Sequence, residues 1–137
     1  MDEATQELVR GWMTKALHDM QTARIVANAT DGPLDTAIYH CQQAAEKSVK
    51  AWLQSEDDPF PKTHDIKDLV KRASAINANF EQFAQAADVI TPYVSAFRYP
   101  GGFDEPMPTQ EEFDEALKHA QTIYDFVLNQ LPEDARP

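Results

Sequence analysis

Apolar residues recur at spacings of three and four along most of the chain, and nowhere do they alternate with period two. That is the signature of amphipathic helices, not of strands. The spacing predicts a first helix over about Thr5–Asn28, with Val9, Trp12, Met13, Ala16, Met20, Ala23 and Ala27 on one face. The Asp31-Gly32-Pro33 break ends it. A second helix over about Leu34–Gln54 turns Ile38, Cys41, Ala45, Val49 (or Ser48) and Trp52 inward. Its small residues Cys41, Ala44, Ala45 and Ser48 would let a neighbouring helix approach closely. A third, shorter helix is expected to begin at Thr63 or Asp65, either of which can cap free N–H groups. Ile66, Leu69, Val70 and Ala73 form its stripe. A fourth segment, about Asn79–Phe97, carries Phe80, Phe83, Ala87, Ile90, Val94 and Phe97, and Pro92 inside it predicts a kink or a locally opened turn. The last helix opens on Thr109-Gln110-Glu111-Glu112, a capping box, and runs through Phe113, Ala116, Ala120, Ile123, Val127 and Leu131 to Pro132. Short connections join these segments. The expectation is an all-α antiparallel bundle of about five helices.

At 137 residues the chain is read as one domain over 1–137, with its core at about 5–131. Twelve Lys and Arg against 23 Asp and Glu leave a net charge of −11. That balance excludes general nucleic-acid binding, which needs surplus cations to displace counterions. The charge is uneven. Residues 47–72 hold six cations and five acids, a balance of +1, so the rest carries −12. Any anion site is therefore expected on the second and third helices, completed by Arg98. No apolar run approaches the roughly 20 residues of a membrane span, and the acidic start carries no visible signal peptide. A single cysteine, Cys41, excludes an intrachain disulfide and makes a reducing cytoplasm the expected compartment. His18, His40, His64 and His119 lack the spacing of a helical metal site, and there is no Gly-rich phosphate loop.

Three ordered motifs narrow the reading. The segment Ile38-Tyr39-His40-Cys41-Gln42-Gln43-Ala44-Ala45-Glu46-Lys47-Ser48-Val49-Lys50-Ala51-Trp52-Leu53 carries a Gln-Ala-x-Glu-Lys-x-x-Lys-Ala pattern. Lys62-Thr63-His64-Asp65-Ile66 follows it, and Phe97-Arg98-Tyr99-Pro100-Gly101 comes later. With Trp12, Ala16, Asp19 and Ala23 on the first helix, the chain resembles HEPN domains from about residue 8 to residue 131. The name denotes a nucleotide-binding domain of higher eukaryotes and prokaryotes. The resemblance implies a helical bundle, similar to nucleotidyltransferase substrate-binding subunits and often a homodimer. Many members work beside a small nucleotidyltransferase in a two-gene toxin–antitoxin arrangement, and others are metal-independent ribonucleases.

The ribonuclease branch is marked by Arg followed, after four to six residues, by His, a pair that holds phosphate and moves a proton. Behind Arg98 those positions are Phe103, Asp104 and Glu105; the windows behind Arg24 and Arg72 also lack His, and His18 lies just outside that of Arg10. The expected function is therefore a non-catalytic module that binds a nucleotide, ATP or GTP, or a nucleotidyltransferase partner. The alternatives are a ribonuclease toxin with a displaced motif and a purely structural dimerisation unit. Binding would use Lys47, Lys50 and His64 with Arg98 on phosphate and Tyr93 or Tyr99 stacking on a base. Asp19, Gln43, Glu46, Thr63, Asp65 and Pro100 complete the motifs as structural residues. Equally open is a buried clasp in which Glu46 or Asp19 pairs with Arg98 or Lys50 across helices and binds nothing.

Overall fold

Helix α1 (Glu3–Asn28) begins where the Asp2 side chain accepts from the Thr5 N–H, and α2 (Leu34–Ser55) follows after the turn at 29–33. The computed structural model describes residues 1–101 and 107–137. A short connection between two long helices makes them antiparallel neighbours. Gly32 is required in that turn, because a Cβ there would lie 1.7 Å from the Val26 carbonyl oxygen.

The second helix ends in a turn whose hydrogen bonds fit a Schellman motif. The Asp58 N–H donates to Leu53 O at 3.0 Å and the Asp57 N–H to Gln54 O at 3.1 Å, with Asp57 at φ 55°. Helix α3 (Ile66–Ile76) takes Asp65 as its cap, the Lys67 N–H donating to its Oδ1. Of the two predicted starts, Asp65 is therefore the cap; Thr63 instead accepts from the Asp65 N–H.

The region predicted as one kinked helix is three pieces. A 3₁₀ stretch (Ala78–Phe83) leads into the short α4 (Ala84–Ile90), and a second 3₁₀ turn (Thr91–Val94) contains Pro92. Helix α5 (Gln110–Gln130) opens on the expected capping box: Thr109 Oγ1 accepts from the Glu112 N–H, and Glu112 accepts from the Thr109 N–H.

Among the described residues there is no strand, and α2 is the central element. Helices α1, α3 and α5 and the turn at 91–94 all pack on it. Ala44, Ala45, Ser48 and Ala51 give it the slim profile this requires, and all four are buried. At its C-terminal end Trp52 meets Phe80 at 4.5 Å, and Phe80 and Phe83 meet Phe126 of α5 at 5.1 and 5.0 Å. No described helix is long and apolar enough to cross a membrane.

Candidate functional site

A helix surrounded on most sides has no room for unpaired charge, yet α2 buries Gln42, Gln43, Glu46 and Lys50. Each is answered. Glu46, 3% exposed, accepts from Lys50 Nζ at 3.0 Å, from His64 Nδ1 at 3.0 Å and from Gln42 Nε2 at 3.1 Å. Because a carboxylate only accepts, the proton of that His64 contact sits on Nδ1. Gln42 Nε2 also reaches the His64 carbonyl at 3.1 Å, and Gln43 donates to Gln42 at 2.6 Å. The network pins the loop before α3 to the middle of α2. Trp12 closes it from α1, its ring 5.6 Å from Lys50 Nζ.

A second polar group sits where α1 crosses the first half of α2. Asp19 accepts from Lys47 Nζ at 2.6 Å through one oxygen and from His40 Nδ1 at 2.8 Å through the other. The carboxylate again fixes the His40 proton on Nδ1, which turns the bare Nε2 the other way. Nε2 has no hydrogen-bond partner among the described residues.

His40 also lines a surface cavity of about 240 Å³ with Asp35, Thr36, Tyr39 and Arg98. Asp35 and Tyr39 are four apart on α2, as are Thr36 and His40, so the two pairs form adjacent rows on the helix surface. Arg98 comes from the segment after the 91–94 turn. Its guanidinium lies 3.9 Å from the centre of the Tyr39 ring, and Nη1 donates to the Val94 carbonyl at 2.9 Å. The residue before it, Phe97, takes φ 66°, a left-handed backbone that is unusual for an aromatic residue. Tyr93 stacks on Phe97 at 6.1 Å. No carboxylate among the described residues pairs with Arg98.

The sequence-predicted ligands are thus divided. Lys47 and Lys50 are each bound to a buried carboxylate, and His64 joins Lys50 on Glu46. Arg98 alone of that set lines the cavity, with Tyr99, 69% exposed, 5.9 Å to one side. Tyr93 is not among the residues that line the cavity; burial first, then the Glu112 and Glu115 carboxylates, hold its phenol above the usual value. Of the pairings left open by sequence, Glu46 takes Lys50, though within α2 and not across helices, and Asp19 takes Lys47 in place of Arg98 or Lys50. Thr63 and Asp65 turn the loop into α3, while Gln43 ties into Gln42. Pro100 is exposed beside Arg98 and Tyr99. Sequence reasoning passed over Asp35, Tyr39 and His40; the available signal was their shared face on α2. Phe103, Asp104 and Glu105, where a motif His was sought, lie outside the described residues.

The HEPN-domain family model matches residues 9–131. The chain belongs to the HEPN family. Among solved structures, the crystal structure of an archaeal HEPN homologue is similar at 25% identity with a TM-score of 0.71, covering 89% of this chain and 96% of that one. No curated protein matches the chain. The family extends from the middle of the first turns of α1 to the end of α5, so the two carboxylate networks and the Arg98 cavity all lie within it.

Proposed function

We propose that this HEPN chain is a non-catalytic module that binds a nucleotide through its phosphate at the Tyr39–Arg98 cavity. One observation carries the reading: Arg98 is held in place by a ring and a backbone carbonyl while no described carboxylate neutralises it. A guanidinium in that state keeps donors for a phosphate, and its fork geometry suits two phosphate oxygens at once. Lys47 and Lys50 are each neutralised by a paired carboxylate, which leaves Arg98 as the unpaired cation of the three among the described residues. The sequence positions that a metal-independent ribonuclease of this family would fill with His hold Phe103, Asp104 and Glu105, which supports binding without cleavage. Calorimetric titration with ATP and GTP tests the proposal. Saturable binding that disappears in Arg98→Ala, with the helical circular dichroism unchanged, is expected; no heat at millimolar nucleotide overturns it.

The partner half of the proposal is a homodimer acting beside a small nucleotidyltransferase in a two-gene toxin–antitoxin pair. It rests on the family. Sedimentation of the chain alone, and then mixed with a nucleotidyltransferase encoded next to it, checks both parts.

A second reading has its own observation. His40, held by Asp19 through Nδ1, lines the same cavity as Arg98, so an imidazole reaches the site from α2 and not from behind Arg98. In that reading Nε2 takes the proton of a ribose 2′-hydroxyl, whose oxygen attacks the adjacent phosphorus as the 5′-oxygen leaves, and Arg98 steadies the charged phosphoryl oxygens. RNA cleavage in the presence of a chelator, lost in both His40→Ala and Arg98→Ala, would replace the non-catalytic reading with this one.

A further inference from the structure

We infer that the cavity selects a ribonucleotide over its 2′-deoxy counterpart, with the Asp35 carboxylate accepting from the ribose hydroxyls. The inference rests on the nucleotide reading above and deepens it.

The cavity pairs opposite chemistries. Arg98 offers donors, whereas Asp35 is a carboxylate that only accepts. Asp35 Oδ1 is used within its own turn, taking the Thr36 N–H at 2.8 Å and the Thr36 hydroxyl at 3.4 Å. Its other oxygen has no partner among the described residues, and no ion pair joins Asp35 to Arg98. An acceptor-only group beside a phosphate site would repel the ligand unless the ligand brings a donor to it. In a nucleotide the donors are the ribose hydroxyls and the N–H edge of the base.

Spacing chooses between them. Asp35 stands four residues before Tyr39, so their side chains share a face of α2 about one helical rise of 5.4 Å apart. Arg98 sits on the Tyr39 ring. The carboxylate and the guanidinium thus line one cavity, Asp35 on the turn of α2 next to the one whose Tyr39 ring carries Arg98. A 5′-phosphate and the sugar hydroxyls are separated by a single furanose ring, which suits that interval, while the base edge lies beyond it. A carboxylate on ribose hydroxyls is also the recurrent solution in dinucleotide-binding folds. Tyr99, exposed and 5.9 Å from the Arg98 guanidinium, is free to stack on the base.

A site that bonds a hydroxyl holds the analogue lacking it more weakly, because a hydrogen bond to the partly exposed Asp35 carboxylate is lost. The experiment is calorimetry of the full chain with ATP, 2′-deoxy-ATP and GTP, on the wild type, Asp35→Ala and Asp35→Asn. Asp35→Asn is isosteric and keeps an oxygen for Thr36, so it serves if Asp35→Ala loosens the start of α2. The expected result is 2′-deoxy-ATP binding at least tenfold more weakly than ATP to the wild type, with the gap closing in Asp35→Ala and narrowing in Asp35→Asn. Equal affinity for ATP and 2′-deoxy-ATP overturns the inference and leaves the nucleotide reading standing. An Asp35-dependent preference for GTP with no effect of the 2′-hydroxyl assigns Asp35 to the base edge and likewise overturns it. Absence of any nucleotide binding overturns both.

Discussion

Glu46 and His64 lie 18 residues apart in sequence and meet at 3.0 Å, the carboxylate buried and the imidazole side chain 68% exposed. The contact ties the loop before α3 to α2, but its energy is unequally distributed. Lys50, 6% exposed, depends on Glu46 for its only carboxylate among the described residues, while His64 can return to water. Glu46→Ala should therefore cost about 3–5 kcal/mol in denaturant unfolding, since it strands a buried ammonium. His64→Ala should cost about 1 kcal/mol, the ordinary net worth of one hydrogen bond. A double variant, Glu46→Ala with Lys50→Ala, should be less destabilised than Glu46→Ala plus Lys50→Ala summed. Additive losses would show that the two charges do not act as a pair.

The clasp was half legible in the sequence, because Glu46 and Lys50 are four apart on a helix and such pairs face each other. The helix boundaries of α1, α2 and α5 were legible for a similar reason: breaks at 31–33 and the Thr109 capping box are local chemistry. The 78–94 region was not. Phe80 and Phe83 are three apart, a spacing that suits a 3₁₀ stretch and an α-helix equally, so periodicity could not separate them. The cavity was the least legible feature. Arg98 reaches Tyr39 only because Phe97 turns the chain through φ 66° and the 91–94 turn packs on α2, and neither relation is a matter of local spacing.

Asp57 takes the left-handed position at the end of α2 with φ 55°, where a side chain carries a penalty that glycine does not. Its backbone N–H and that of Asp58 already close the turn at 3.1 and 3.0 Å, so the geometry is set without the side chain. Asp57→Gly should raise stability by about 1 kcal/mol, the scale of the left-handed penalty for an L-residue. A higher denaturant midpoint with an unchanged slope is the expected reading. A lower midpoint would mean that the Asp57 side chain contributes more than its backbone strain removes.

Asp19 fixes the tautomer of His40. With the carboxylate at 2.8 Å from Nδ1, the neutral ring carries its proton there and leaves Nε2 bare, on a residue that lines the cavity. Nitrogen NMR of the imidazole should show the Nδ1–H tautomer in the wild type and a shift toward Nε2–H in Asp19→Ala. Lys47→Ala should leave the tautomer unchanged, because it removes the other partner of Asp19 and not the contact with His40. A wild-type ring protonated at Nε2 would contradict the assigned hydrogen bond and remove the base from the cleavage reading.

Burial pushes the Cys41 thiol up to about 12 from 9.0, with Arg24 opposing the shift only in part. The thiol is then neutral throughout the neutral range and shielded as well. Native protein should resist alkylation at pH 8, and the same reagent should modify Cys41 once denaturant unfolds the chain. The shift also sets a slope of stability with pH. Below about pH 9 both folded and unfolded chains keep the proton, and the contribution is fully present. Between about 9 and 12 the unfolded chain has released it while the folded chain still holds it, so stability falls by about 1.4 kcal/mol per pH unit. Tyr93 and Tyr124 are raised in the same direction, chiefly by burial, and steepen the fall at its alkaline end. Cys41→Ala separates the contributions. Its stability between pH 9 and 10 should be nearly flat where that of the wild type declines, and an equal decline in both proteins would show that the thiol is not held neutral by the fold.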